Sequence, residues 1–527
     1  MGAPRVLVSD PIAEEGLRRL QAGAEVDVTT GLKPDGLKQV LGGYDALVVR
    51  SETKVTRDVV EAGRRLQVIA RAGIGVDNID LEAATARGIA VVNAPTGNTV
   101  AAAEHTIALM LAMARNVPQA HLSMKEGQWR RGAFMGIELR NKTLGIMGLG
   151  RVGSEVARRA QGLSMRLLVY DPFVSPDYAR LLRAEVVSLE ELLEQSDFVT
   201  VHAALTEATR HMIGEAQMAR MKPGARLINV ARGELVDDEA LLKALDEGRL
   251  AGAALDVFPN EPPGDIPLVR HPKVIVTPHL GASTQEAQTE VAIEAAEQVL
   301  AVLGGMPARN TVNAPFLSPE VHDALAPYLP VASLLGKLLT HLAEGQFVGV
   351  DIEYQGEVAR YDTGVLKSAA LAGLMGPVSE ERVNLINAAL IAQRRGLTVT
   401  EHTSAGAPEY TSLLAVTLKT TAGDMTLAGT SLRNEVHVVR VNEYWLDMVP
   451  SVPYLLFIEH SDRPGSIGAV GTITGRNDIN ISFMEVGRLS PRGPAMMILG
   501  LDDPVPGPVL EEIRAVGHIS SARVVRL

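Results

Sequence analysis

At 527 residues the chain is too long for one hydrophobic core, and three or four domains are expected. Its 46% hydrophobic and 21% charged residues are those of a folded soluble protein, which excludes a largely disordered chain. A net charge of −12 argues against general binding to nucleic acid or an anionic membrane, and the lack of cysteine excludes disulfides, thiolate catalysis and cysteine-built zinc sites.

The start, MGAPRVLVSDPIAEEG, has no apolar core of the length a secretion signal needs, and Val6 breaks the myristoylation pattern. Short Val/Ile/Leu runs then alternate with helical patterns, so that RVLVSD, AEVDVT, YDALVVRS, LQVIARAG and AVVNAP read as strands of a parallel α/β sheet. Next, NTVAAAEHTIALMLAMARNV reads as one long helix over residues 98–117, capped by Thr99 and carrying the chain from one lobe to another. Its most apolar part, TIALMLAMA, is far shorter than the ~20 residues a membrane span requires, and a cytoplasmic protein is expected.

A second α/β series runs through KTLGIMGLG, RLLVYDP, DFVTVHA, ARLINVA, GAALDVF and KVIVTPH, six strands of a doubly wound Rossmann sheet. A long helix in TQEAQTEVAIEAAEQVLAVLGG follows, and the Pro- and Asn-bearing loop after it places a domain break near Phe316. Residues 317–451 mix strands and helices without a nucleotide fingerprint. The last unit, from residue 452, reads strand, helix, strand, strand, helix, strand, the ferredoxin-like order.

Gly148, Gly150 and Gly153 form G-x-G-x-x-G between the strand TLGIM and the helix SEVARRA. The three glycines serve a tight turn, close approach of backbone to pyrophosphate, and close packing of helix on strand, while the helix N-terminus offers free N–H groups to phosphate. Asp171 ends the next strand, where a carboxylate accepts the ribose hydroxyls of NAD and repels the 2′-phosphate of NADP; PFVSP after it holds no cation for that phosphate. NAD is the expected cofactor.

Chemistry in an open α/β sheet lies beyond the carboxyl ends of its strands, and three ionisable residues follow three later strands: Arg232, Glu261 and His279. His279 suits the proton removal that accompanies oxidation of an alcohol by hydride transfer. Glu261 would orient the imidazole and favour its charged form, and Arg232 would hold a substrate carboxylate in a bidentate grip. Asn229, His202 and Asp256 also end strands; Asp256 is placed near the nicotinamide, and His202 is left undecided.

The stretches RAGIGVDNID, NAPTGNTVAAAEHT, GLGRVG, NVARGE, LDVFPNEPP and TPHLGAS make the chain, over its full length, resemble the D-2-hydroxyacid dehydrogenases, and within them the long form of the D-3-phosphoglycerate dehydrogenases. The family's Arg–Glu–His set falls on Arg232, Glu261 and His279. The resemblance implies a Rossmann NAD domain (98–284) inserted in a flavodoxin-like substrate domain (1–97 and 285–316). An α+β intervening domain (317–451) and a ferredoxin-like ACT domain (452–527) would follow. Cofactor contacts carried over are Arg151, Val152, Asp171, Val230, Ala231, Arg232, Asp256, His279, Leu280, Gly281 and Ala282, besides the glycines. Substrate contacts are Arg50, Ser51, Gly73 and Asn98, with Arg131 reaching over from a partner subunit, although Glu52 stands where some relatives have a further cation.

The family resemblance implies NAD-dependent oxidation of 3-phospho-D-glycerate to 3-phosphohydroxypyruvate, opening serine synthesis, in a homotetramer under allosteric feedback by L-serine. The effector positions are His460, Asp462 and Asn480, next to Gly465, which tolerates a left-handed turn ahead of the ACT helix. Two other readings are open: a glyoxylate or hydroxypyruvate reductase, against which the two C-terminal domains count, and an NADH-sensing corepressor, whose kind lacks those domains.

Overall fold

The computed structural model describes residues 2–306, 308–314, 319–404, 406 and 410–527; the break expected at Phe316 lies outside the described residues. Among the described residues four sheets form. In the first, β1 (Arg5–Val8), β2 (Glu25–Val28), β3 (Ala46–Val49), β4 (Val68–Arg71) and β5 (Ala90–Asn93) lie parallel in the order β2-β1-β3-β4-β5, the flavodoxin-like winding. One face buries Leu7, Leu47, Ile69 and Val91 under local helices. The other buries Val6, Val8, Val48 and Val68 under Val291, Ala295 and Val299 of the helix Gln285–Leu303. At about 1.5–3 kcal/mol per fully buried Val or Leu, that returning helix is integral to the first lobe although it follows the second sheet in sequence.

The second sheet joins β6 (Thr143–Met147), β7 (Arg166–Tyr170), β8 (Ala184–Val186), β9 (Phe198–Val201), β10 (Ala225–Asn229), β11 (Leu250–Leu255) and β12 (Val274–Val276). Their order, β12-β11-β10-β9-β6-β7-β8, is all parallel and reverses direction between β6 and β9, which opens a crevice at the glycine turn. The sheet has seven strands where six were expected. The extra one, β8, has three residues, two of them exposed, too few to leave an apolar run in the sequence.

The long helix expected over residues 98–117 runs over Thr99–Ala114 and stops where Asn116 turns left-handed at φ 51°; a second helix, Val117–Lys125, follows with Pro118 in its first turn. Thr99 is not the cap: Asn98 holds that position without a side-chain bond, and Thr99 is the first helical residue.

In the third sheet, β13 (Phe347–Gly356), β14 (Thr398–Ser404), β15 (Ser412–Thr420), β16 (Gly423–Leu432), β17 (Glu435–Val441) and β18 (Tyr444–Met448) run β14-β13-β15-β16-β17-β18, with only β13 and β14 parallel. The fourth, β19 (Tyr454–Ser461), β20 (Ile481–Arg488), β21 (Pro494–Leu501) and β22 (Ile519–Arg526), is antiparallel in the order β20-β21-β19-β22, as the ferredoxin-like reading requires. Its own helices cover Leu456, Ile458, Met497 and Leu499. The opposite face buries Leu455, Phe457, Met496, Ile498 and Val525 in the same core as Leu335, Leu338, Leu339 and Leu342 of the third sheet's helix Leu329–Leu342. The last two sheets thus share one core. Among the described residues no helix is long and apolar enough to cross a membrane.

Candidate active site

The glycine turn is built as its spacing requires. Gly148 has φ 93°, and a Cβ there would stand 2.8 Å from the carbonyl oxygen of His202; one on Gly153 would stand 2.0 Å from that of Gly148. A Cβ on Gly150 would meet nothing within 4 Å, so the middle glycine faces open space at the start of the helix Arg151–Gly162, whose first N–H groups have no side-chain cap. These features fit a dinucleotide pyrophosphate. Asp171 fixes the turn, its Oδ2 accepting the Leu149 N–H at 2.8 Å and its Oδ1 that of Phe173 at 2.9 Å. Arg151 donates to the Pro95 carbonyl across the hinge at 3.3 Å.

Past β9, burial pushes the His202 imidazole down to about 4, so it is neutral at neutral pH, and its Nε2 pairs with Thr200 at 3.0 Å. Past β10, Asn229 is buried and shapes the turn: it accepts the Ala231 N–H at 3.0 Å and donates to the Arg232 carbonyl at 2.7 Å. Val230 is buried above Gly281, where a Cβ would stand 3.1 Å from Val230 Cγ1.

The three rim residues converge. His279 Nδ1 and Glu261 Oε2 are 2.6 Å apart, and the Phe258 N–H donates to Glu261 Oε1 at 3.2 Å. Burial alone would raise the Glu261 pKa, but the bond and charge of His279, the Phe258 N–H and the charge of Arg232 together hold it below the usual carboxylate range. Glu261 is therefore an anion at neutral pH. Arg232 Nε donates to Asp77 of the first lobe at 3.1 Å. Its terminal nitrogen lies flat on Gly75, where a Cβ would come within 1.9 Å.

Across the cleft the 50–53 loop is pinned by Asp10 and Asn78. Asp10 accepts the Arg50 N–H at 2.5 Å and the Thr53 hydroxyl at 2.5 Å, and Asn78 donates to the Arg50 carbonyl at 2.6 Å. Ser51 is exposed on that loop, and Asn98 stands at the hinge. Arg71, at the end of β4, lies against Gly73, where a Cβ would fall 2.1 Å from the guanidinium. Its pKa is lowered to about 10 by burial, then by the charges of Arg232 and Arg50, with Asp77 and Asp10 opposing. Arg71 remains charged at neutral pH, and three guanidiniums crowd one cleft. Among the described residues the Nε atoms of Arg50 and Arg71 are buried without a hydrogen-bond partner. Arg131 lies apart, exposed in the turn Arg131–Phe134.

Sequence reasoning missed Arg71, Asp77, Asp10, Asn78, His105 and Thr277. Asp256, expected beside the nicotinamide, is fully buried; its carboxylate accepts from Leu280 and Gly281, the residues just past His279, each at 2.8 Å. Leu280 is 39% exposed, and the Ala282 carbonyl accepts from Gln288 at 2.7 Å.

At the fourth sheet His460 is buried, with Nδ1 donating to the Ser461 carbonyl at 3.0 Å. Nearby Asp462 accepts from the Arg492 N–H at 3.1 Å and from Arg488 at 3.2 Å, which hold its carboxyl below the usual range. Asn480 is engaged elsewhere, donating to Asp502 at 2.6 Å. Gly465 has φ 92°, the left-handed conformation expected of it.

Residues 107–281 match the family described as D-isomer specific 2-hydroxyacid dehydrogenase, NAD binding domain; 324–442 match the D-3-phosphoglycerate dehydrogenase intervening domain, and 454–518 the ACT domain. The fold and glycine turn thus define an NAD-dependent 2-hydroxyacid dehydrogenase. The D-3-phosphoglycerate dehydrogenase of Synechocystis sp. is 45% identical over 525 residues, covering 99% of this chain and 95% of that protein. That of Archaeoglobus fulgidus is 44% identical over 527 residues, covering 99% and 100%. The chain belongs to the D-3-phosphoglycerate dehydrogenase family, in its form with intervening and ACT domains. Among solved structures, a protein from Thermus thermophilus superposes with TM-score 0.55 at 38% identity, covering 58% of this chain and 99% of its own. Apo D-lactate dehydrogenase from Escherichia coli gives 0.53 at 28% identity, covering 58% and 99%.

Proposed function

We propose that the chain oxidises 3-phospho-D-glycerate to 3-phosphohydroxypyruvate, the first step of L-serine biosynthesis, in the cleft between its two N-terminal lobes. The observation that carries this reading is the 2.6 Å pairing of His279 with an ionised Glu261, facing a cleft into which three arginines converge. NAD would be held at the glycine turn by Gly148, Gly150, Arg151, Val152 and Gly153, where it would supply the acceptor for the hydride of substrate C2. His279 takes the hydroxyl proton; with Nδ1 engaged by Glu261, Nε2 is the nitrogen left for it. Glu261 steadies the imidazolium that results and fixes the ring. Arg232 grips the substrate carboxylate, while Arg50 and Arg71 hold the phosphate, whose arrival relieves the crowding of their like charges. Gly73, Ser51 and Asn98 line the same cleft.

The same reading assigns the pyrophosphate to Gly148, Gly150, Arg151, Val152 and Gly153, and the ribose to Asp171. The nicotinamide falls to the segments 230–232 and 279–282 with Asp256. The chain divides into residues 1–97 with 285–316, 98–284, 317–451 and 452–527, in a cytoplasmic protein. L-serine is the effector at His460 and Asp462, with Asn480 supplied across paired ACT units. Exposed Val117, Leu122, Met124, Trp129 and Met135 favour burial against a second copy, in a tetramer that brings the partner's Arg131 to the cleft. Steady-state oxidation of a panel of 2-hydroxy acids with NAD tests the substrate: 3-phosphoglycerate should lead in kcat/KM, and an equal or higher value for unphosphorylated acids would reject it.

A further inference from the structure

Behind the catalytic loop lies a buried cluster in which one member, His105, has no part in the proposed reaction. The Asp256 side chain is 0% exposed. Burial alone would raise its pKa, but bonds from His105, Thr277 and the Leu280 N–H hold it below the usual range, so a buried anion sits under the loop. Oδ1 accepts from the Thr277 hydroxyl at 2.5 Å, from the Leu280 N–H at 2.8 Å and from His105 Nε2 at 3.1 Å; Oδ2 accepts the Gly281 N–H at 2.8 Å. The Asp256 carbonyl accepts the N–H of His279 itself at 2.9 Å. His279 needs that anchorage, because its φ of 53° lies in the region that favours glycine.

Four of these groups, Thr277, His279, Leu280 and Gly281, belong to the segment that follows β12. His105 comes from elsewhere: it projects from the helix Thr99–Ala114, which begins at the hinge between the lobes. Its Nε2 stands 3.1 Å from both Asp256 Oδ1 and Thr277 Oγ1. Thr277 already gives its hydrogen to Asp256, so both neighbours are acceptors toward the ring, and Nε2 must carry the proton. The geometry points to His105 as a positioning residue: its shared Nε2–H ties the hinge helix to the loop that aims the His279 imidazole, so that the setting of the lobes and the aim of the base are fixed together. This rests on the proposal that His279 is the base.

The test uses the full-length protein in NAD-dependent oxidation of 3-phosphoglycerate, comparing wild type with His105→Gln, His105→Asn and His105→Leu, and with His279→Asn alongside. The Gln amide nitrogen reaches where imidazole Nε2 does, and that variant keeps kcat within about twofold of wild type. The Asn amide falls a methylene short, and Leu fills the volume without donating; both lose about tenfold or more in kcat, with KM for NAD and for substrate nearly unchanged, the cost of a base about 1 Å out of place. Wild-type kcat in the Leu or Asn variant, or a loss in Gln equal to that in Leu, overturns the role of His105. Should the Leu variant not fold, the Gln and Asn pair decides the matter alone. Wild-type kcat in His279→Asn would instead overturn the proton-transfer reading, independently of His105.

Discussion

The two proposed ligand sites of this chain are assembled differently. On the Rossmann rim, Arg232, Glu261 and His279 come from separate loops yet meet, with His279 and Glu261 at 2.6 Å. In the ACT unit His460 and Asp462 lie at the end of β19, while Asn480 bonds to Asp502 at the far end of the helix Ser466–Arg476. A parallel sheet collects the loops after its strands along one edge, so one chain can bring the base, its carboxylate and Arg232 together there. A four-stranded antiparallel unit of ACT type has no such edge. In the proposed reading its site becomes whole only when two copies pair, which is what makes it suited to regulation.

The largest expected effect breaks the catalytic side of this comparison. His279→Asn should lower kcat by roughly 10²–10⁴-fold, the usual contribution of a general base, with NAD affinity by titration unchanged. Next comes the acid behaviour of the two regions. His202, held neutral with its pKa near 4 against an ordinary 6.5, gives stability that is whole above pH 6.5 and is lost as pH falls toward 4, where the unfolded chain takes up the proton first. That is at most about 3 kcal/mol. His202→Asn should therefore flatten the melting temperature of the protein against pH over that window. A still smaller effect belongs to the cleft: Arg50→Ala should cost ~1–3 kcal/mol of kcat/KM for 3-phosphoglycerate, the worth of a charge-assisted bond, and much less for unphosphorylated acids. Smallest in basal turnover is the ACT side. Asp462→Asn should leave kcat unchanged while raising the L-serine concentration for half-inhibition, and mixing it with Asn480→Ala chains should restore sensitivity in part if the site is split between copies.

What was legible in the sequence follows the same division. The glycine turn, Asp171 and the three rim residues could be singled out because each lies within a few residues of the end of an apolar strand run, and strand ends are where this architecture places its chemistry. Arg71 could not, because it closes the run LQVIAR as if it were only a strand terminus; its meaning comes from Arg232 and Asp77, which the chain brings to it from another lobe and another loop. His105 was likewise hidden as a polar residue in an apolar helix, its partner Asp256 lying 151 residues on, past β11. The break at Asn116 escaped because a left-handed asparagine leaves no periodic trace, although Pro118 was a warning. Strand β8 escaped because two of its three residues face solvent.

The most direct test of the central claim is the pH dependence of kcat/KM for 3-phosphoglycerate oxidation in wild type and His279→Asn. The account predicts that the variant loses most of the rate at every pH and with it the pH dependence of the wild type. The same pH dependence and the same rate persisting without the imidazole would contradict it.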